Sequence, residues 1–248
     1  MNRRRLLGLV GGAVAWPLAV RGQKIDVRRV GVLMSGDEEK DPEGKALLAG
    51  FVQRLAELGW SEGHNLGLEI RWGANNVDRM RTFARELVAS QPDVILAGST
   101  PVTAALHRET QTIPIVFVVV SDPVGDGFVA SLAHPGGNMT GFLHSENGMG
   151  AKMLQLLNQI APNVKRIAML FNPDTAPGHG TCYFPDLQTA AQSLHIEAIA
   201  ARARSDAEIG TVMTSLGAEP GGGLIVLPDP FMYSREKTIV SLAARTNV

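Results

Sequence analysis

Residues 93–122 read DVILAGSTPVTAALHRETQTIPIVFVVVSD. Asp93–Ala97 is a short run dominated by Val, Ile and Leu. It stops at Gly98-Ser99-Thr100, where Pro101 is well placed to open a helix. Ile115–Val120 is a second such run, closed by Ser121-Asp122-Pro123. Strand, helical crossover and strand within about thirty residues is the repeating unit of a parallel sheet.

The same alternation extends in both directions. Toward the N-terminus, Val30–Met34 reads as a buried strand entering a loop at Ser35-Gly36, and Leu66, Leu68, Ile70 and Trp72 alternate as a second strand. Leu47, Phe51, Leu55 and Leu58 mark a helical face that Gly59 stops, and Met80, Phe83, Leu87 and Val88 stripe another. Toward the C-terminus, helical faces are expected at Met153–Ile160, Leu187–Leu194, Ile209–Leu216 and around Ile239, Leu242 and Ala243. Arg166–Phe171 is a strand ending at Asn172-Pro173, and Gly223–Leu227 another before Pro228-Asp229-Pro230. The fold class is therefore α/β, with parallel sheets covered on both faces. The Gly/Pro/Asn-rich stretch His134–Gly141 breaks the series into two Rossmann-like lobes, 23–142 and 143–248, with the crossover just after Thr140-Gly141-Phe142.

Composition narrows the function. The 248 residues are 45% apolar and carry a net charge of −1, which excludes the concentrated basic surface that phosphate backbones require. Aromatic content of 5% is too low for a stacking surface for bases or sugars. The one basic cluster, Arg3 to Arg5, precedes the uncharged stretch Leu6–Ala19 and a small-residue site at Val20-Arg21-Gly22, the form of an export signal over residues 1–22. The paired arginines suit the twin-arginine route, with the general secretory route as the alternative. The stretch is short for a membrane span and contains Pro17. Cys182 is the single cysteine, so neither an internal disulfide nor a lipid-bearing cysteine after Gly22 is expected. The expected product is soluble and periplasmic.

In open parallel sheets ligands bind beyond the carboxyl ends of the strands. Five polar clusters fall there: Ser35, Ser99-Thr100, Ser121-Asp122, Asn172 and Asp229. Hydroxyls and free amides at a helix start hold a carboxylate, and an aspartate on the facing lobe pairs with an ammonium, so the set suits a zwitterion such as an amino acid. The same residue types also serve as ordinary caps and turn formers. No phosphate loop, H-E-x-x-H or G-x-S-x-G is present, and Gly178-His179-Gly180 lacks the third glycine of a dinucleotide fingerprint. His179 and Cys182 are only two potential metal ligands on one loop, and the other histidines have no triad partners. No catalytic residue, metal or cofactor is expected. An enzyme on the same scaffold would need an acid/base pair or metal that the sequence does not display.

Ile113-Pro-Ile-Val-Phe117, Ser121-Asp-Pro-Val124, Gly127-Phe-Val-Ala-Ser-Leu132 and Pro135-Gly-Gly-Asn-Met-Thr-Gly141, in that order, resemble the ABC-transporter substrate-binding family that includes tryptophan- and tyrosine-binding lipoproteins. Gly59-Trp60, Gly63-His-Asn65, Arg71-Trp72, Phe171-Asn-Pro173 and Asp229-Pro-Phe231 extend the resemblance over essentially the whole chain. It implies a type I periplasmic-binding fold, two α/β lobes closing on a small solute. It places binding residues at Ser35, Ser99, Thr100, Asp122, Asn172 and Asp229, with first-lobe loops taking the carboxylate, Asp122 and Asp229 as ammonium partners, and Phe231 as an apolar wall. It also implies delivery to an ABC permease, by a protein acting as a monomer. A periplasmic sensor feeding a membrane signalling partner is the alternative; the leader stands where a transcription regulator would carry its DNA-binding helices. Members of the family continue past Ala243-Ala-Arg245 with a further strand and a return crossing, so an incomplete second lobe, and with it a non-functional fragment, are further expectations.

Overall fold

The computed structural model describes residues 27–145 and 148–248; the expected export signal lies outside them. The first sheet contains β1 (Arg28–Met34), β2 (Leu66–Trp72), β3 (Val94–Gly98), β4 (Ile115–Val120) and β5 (Met139–Leu143), ordered β2-β1-β3-β4-β5. All four pairings are parallel, and Val30 lies opposite both Leu68 and Val94. The second sheet is β7-β6-β8, also parallel: β6 (Arg166–Phe171) lies between β7 (Glu197–Arg202) and β8 (Gly222–Val226).

The helices take the connections that parallel pairing demands. In the first lobe these are α1 (Pro42–Glu57), α2 (Val77–Ala89) and α3 (Thr100–Glu109). In the second they are α4 (Met149–Ile160), α5 (Phe184–Ser193), α6 (Asp206–Gly217), the short α7 (Pro230–Tyr233) and α8 (Glu236–Thr246). Their starts follow local chemistry. Asp41 accepts from the Gly44 amide ahead of α1, Asn76 from Arg79 ahead of α2, and Ser205 from Glu208 ahead of α6, each satisfying an amide that the helix cannot.

Period-two patterning divides each sheet between two cores. In β1, Leu33 faces the cluster built with Met80, Leu87, Leu106, Ile115 and Phe117 under α2 and α3, whereas Val30, Val32 and Met34 face Leu66, Trp72 and Leu96 beneath α1. In the second lobe α4 and α5 cover Ile167, Met169 and Phe171, while α6 and α8 cover Ala168 and Leu170. Each fully buried side chain of this size contributes about 1.5–3 kcal/mol of transfer free energy. The α1 face is the thinly covered one: of that helix only Gly44 is fully buried, and Phe142 on β5 is 72% exposed.

Two strands, β5 and β7, were not read from the sequence. Both are edge strands: β5 (MTGFL) lies inside the Gly-rich break, and β7 (EAIAAR) is rich in alanine and half-exposed. An edge strand with one neighbour needs neither a continuous apolar run nor a clean alternation.

Candidate functional site

The carboxyl ends of adjacent strands bring the candidate loops together. Ser35 follows β1, Ser99-Thr100 follows β3 and Ser121-Asp122 follows β4, and these three strands are neighbours. In the facing lobe Asn172 follows β6 and Asp229 follows the adjacent β8, and the Asn172 amide donates to Asp229 Oδ2 at 3.1 Å. The two edges meet at both flanks. On the β1–β2 side, Tyr233 donates its hydroxyl to Glu43, and the Asn75 amide nitrogen, oriented to satisfy both ends, donates to Pro230 O and Ser35 O at 3.3 Å. On the β4 side, Gly178 N donates to Asp126 Oδ1 at 2.9 Å, and the Tyr183 hydroxyl bonds Ser145 Oγ, just past the end of β5, at 2.7 Å. The end of β3, with Ser99 and Thr100, lies between these two flanks.

Ser99 is the most unusual residue there. Its backbone stands at φ 132°, ψ 164°, a region that essentially only glycine occupies, yet it is the residue before α3. Its side chain makes no capping bond. It is 5% exposed, and Oγ is buried without a partner. Thr103 anchors the turn by donating both its amide (3.0 Å) and its Oγ1 (2.8 Å) to Ser99 O. In the first turn of α3 Pro101 has no N–H and Thr103 N is bonded to Ser99 O, so the amides of Thr100 and Val102 are the ones left without an intrahelical acceptor at the positive end of the helix dipole. Ser99 Oγ thus lies buried and unpartnered beside the N-terminal end of α3.

The remaining candidates have different situations. Thr100 is buried beside Ser99, and Ser35 is half-buried with its carbonyl accepting from Asn75 N at 2.7 Å. Asp122 caps its own turn, accepting from Gly125 N at 2.8 Å. Asn172 braces the loop after β6: its carbonyl accepts from Thr175 and Ala176, and its Oδ1 from Asp174 N. Asp229 is 1% exposed and both its oxygens are engaged, with Asn172 N, Thr175 Oγ1 (2.9 Å) and Met232 N (3.0 Å). Phe231 packs in the core under α6 and α8, with the Arg235 guanidinium 3.6 Å from its ring centroid. Asn75, Asp126, Gly178 and Tyr183 join the lobes and were missed in the sequence, because no motif marks a residue whose partner is tens of positions away.

Burial sets the electrostatics. It raises Asp229 above the ordinary 3.8, against the hydrogen bonds from Met232 N, Asn172 N and Thr175 Oγ1 that lower it. It raises Asp126 too, against the Gly178 amide. The Cys182 thiol is pushed up to about 11, first by burial and then by the Asp122, Asp126 and Asp186 charges. A carboxyl with a raised folded pKa binds more protons folded than unfolded. Stability is therefore expected to fall as pH rises from about 3.8 through the raised folded values of Asp229 and Asp126. Asp93, held below 3.8 by the Arg29 amide, has the opposite sign, but only below that value. Urea unfolding midpoints from pH 3.5 to 8 measure the slope, and Asp229→Asn should flatten it. Among the described residues no group of three or more His, Cys, Asp or Glu is placed to hold a metal, and no helix is long and apolar enough to cross a membrane.

Comparison with known proteins identifies the family and the fold. The family described as ABC transporter substrate binding protein matches residues 29–248. The chain is 27% identical over 198 residues to a tyrosine-binding protein of Clostridioides difficile (strain R20291), covering 80% of this chain and 56% of that protein's length. A conserved domain protein of Vibrio cholerae superposes with a TM-score of 0.77 at 27% identity, over 89% of this chain and 72% of that one. An ABC domain from Streptococcus pneumonia solved with L-Trp gives 0.78 at 22% identity, over the same shares. The fold is that of the type I periplasmic binding proteins, as the resemblance in the sequence implied. On the match over residues 29–248 together with this fold, the chain belongs to the ABC transporter substrate-binding protein family.

Proposed function

We propose that the chain captures a small carboxylate solute, an aromatic amino acid in the first instance, between its lobes in the periplasm and presents it to an ABC permease. The observation that carries this reading is Ser99, a buried hydroxyl without a partner at the N-terminus of α3, held in a strained backbone between the two flanks of the cleft. Strain of about 1–3 kcal/mol and an unsatisfied hydroxyl are costs that a solely structural cap has no reason to carry. A ligand carboxylate seated there accepts from Oγ and from the amides of Thr100 and Val102. Asp122, Asn172 and Asp229 then act from the rim and the facing loops, Asp229 chiefly by fixing Asn172 and α7. The tyrosine-binding relative supports the amino-acid class. With binding as the function, closure of the lobes is the working step and no bond in the solute is made or broken.

Two measurements test this. Thermal unfolding with L-tyrosine, L-tryptophan and benzoate at a hundredfold over Kd should show a gain of about 2.7 kcal/mol, on the order of 5–10 °C, for the bound class. No shift with any carboxylate, in a chain that unfolds cooperatively, counts against the reading. Ser99→Gly separates ligation from capping. It relieves the backbone strain and should raise unfolding stability by about 1 kcal/mol. It should also weaken carboxylate binding about ten- to a hundredfold, by loss of a charge-assisted hydrogen bond. A variant less stable and unchanged in binding would make Ser99 structural.

A further inference from the structure

The β4 flank of the cleft contains a half-buried carboxylate that the ligand site does not use. Asp126 lies in the first lobe and accepts from Gly178 N of the second at 2.9 Å, while its other oxygen, Oδ2, is buried with no partner. Gly178 belongs to a short 3-10 turn, Pro177–Gly180, with left-handed backbone at Gly178 (φ 55°) and at His179 (φ 54°). Left-handed geometry at a histidine is uncommon, and here it is braced: His179 Nδ1 donates to Pro173 O at 2.8 Å. Pro173 follows Asn172, whose carbonyl holds Thr175 N and Ala176 N and whose own amide is tied to Asp229. The turn reaching across to Asp126 is thus bonded to the loop after β6.

We infer that the Asp126 carboxyl and the Gly178 amide form an interlobe clasp that shuts most firmly when Asp126 is protonated, so that acid drives the lobes closed. Opening the cleft returns Oδ2 to water, where the anion is well solvated; closing strands it without a donor. One amide bond favours the anion in the closed form, but the desolvated second oxygen and the adjacent Asp122 carboxylate oppose it. Among the described residues, the other ionisable groups near the clasp are His179 on the turn, Cys182 and Tyr183 just before α5, and Asp186 in its first turn. Of the charges around the Asp126 carboxyl, His179 attracts the anion and Asp122 repels it. Closing takes up a proton, and rising pH therefore favours the open form.

This inference rests on the cleft being a binding site that opens and shuts, but its test needs no ligand. The radius of gyration from small-angle scattering and the amide proton shift of Gly178 in labelled, ligand-free full chain would be followed from pH 4 to 8. Wild type is expected to be compact with a hydrogen-bonded Gly178 amide in acid, and to open with rising pH. Asp126→Asn keeps the acceptor without the charge, so it should stay closed across the range. Asp126→Ala should lower the closed-to-open ratio about two- to tenfold at acid pH and abolish the pH dependence, the effect of losing one hydrogen bond. Asp122→Asn should shift the wild-type midpoint to lower pH while leaving the transition intact. A wild type whose dimensions and Gly178 shift ignore pH, or an Asp126→Asn protein that still opens at the wild-type midpoint, overturns the clasp. A parallel L-tyrosine titration keeps the two readings apart: closure that tracks pH without binding leaves the clasp and sinks the ligand assignment, and binding without pH-linked closure does the reverse.

Discussion

Asp229→Ala is expected to destabilise the second lobe by about 3–5 kcal/mol. The substitution leaves the Asn172 amide, the Thr175 hydroxyl and the Met232 amide facing a methyl group in a site that water does not reach. An orphaned buried donor costs about 1–3 kcal/mol, and three together approach a large share of a domain's net stability of 5–15 kcal/mol. The damage has a direction. Asp229 fixes α7 from below and the Asn172 loop from the side, so both should loosen while the first lobe is unaffected. Urea unfolding measures the loss, and hydrogen exchange places it: amides of α7 and residues 172–176 should lose protection, with β1 and β3 unchanged. Asp229→Asn distinguishes bonding from charge, since its NH2 group meets donors where the carboxylate met them as an acceptor. It should be destabilised as well, by less than alanine. A full-strength Asp229→Ala protein would mean that the buried carboxylate is dispensable and that its role is ligation after all.

The second large effect is expected at Gly150. A methyl group on this residue of α4 would lie 2.1 Å from the Tyr183 carbonyl oxygen and 3.2 Å from Leu187 Cβ at the start of α5. A backbone carbonyl cannot rotate away as a side chain can, so the helices must separate. Overpacking of this kind costs about 1–3 kcal/mol, partly offset by alanine's advantage of about 1 kcal/mol in a helix. Gly150→Ala should therefore lower stability by up to about 2 kcal/mol, at that limit roughly 4–8 °C in Tm for a chain of this size. It should also displace the Tyr183 hydroxyl, which bonds Ser145 just past the end of β5. Tyr183→Phe, which deletes only that hydroxyl, should loosen the interlobe flank with less loss of Tm. If Gly150→Ala melts with the wild type, α4 and α5 are not in the close contact described.

Much of the first lobe was legible before any coordinates. Val30–Met34, Leu66–Trp72 and Ile115–Val120 became strands over those residues, because buried parallel strands advertise themselves as runs of Val, Ile and Leu. Ser35, Ser99, Asn172 and Asp229 follow strand ends, and strand order then sets them side by side. What the strands did not reveal was occupation. Asp229 looks the same in the sequence whether its oxygens face a ligand or, as here, the protein's own amides. Ser99 looks like a routine helix cap, and its strained backbone and idle hydroxyl exist only in three dimensions. The edge strands β5 and β7 were hidden for the opposite reason, since partial exposure removes the apolar signal.

The sequence by itself determined the α/β alternation, the polar strand ends and the family, because these depend on local periodicity and on the order of short motifs. Only the tertiary structure decided which polar groups are committed and which are left over. It paired Asp126 with Gly178 across 52 positions and Asn172 with Asp229 across 57. Hydrogen-bond satisfaction is a property of pairs brought together by folding, and a one-dimensional pattern contains the residues without their partners.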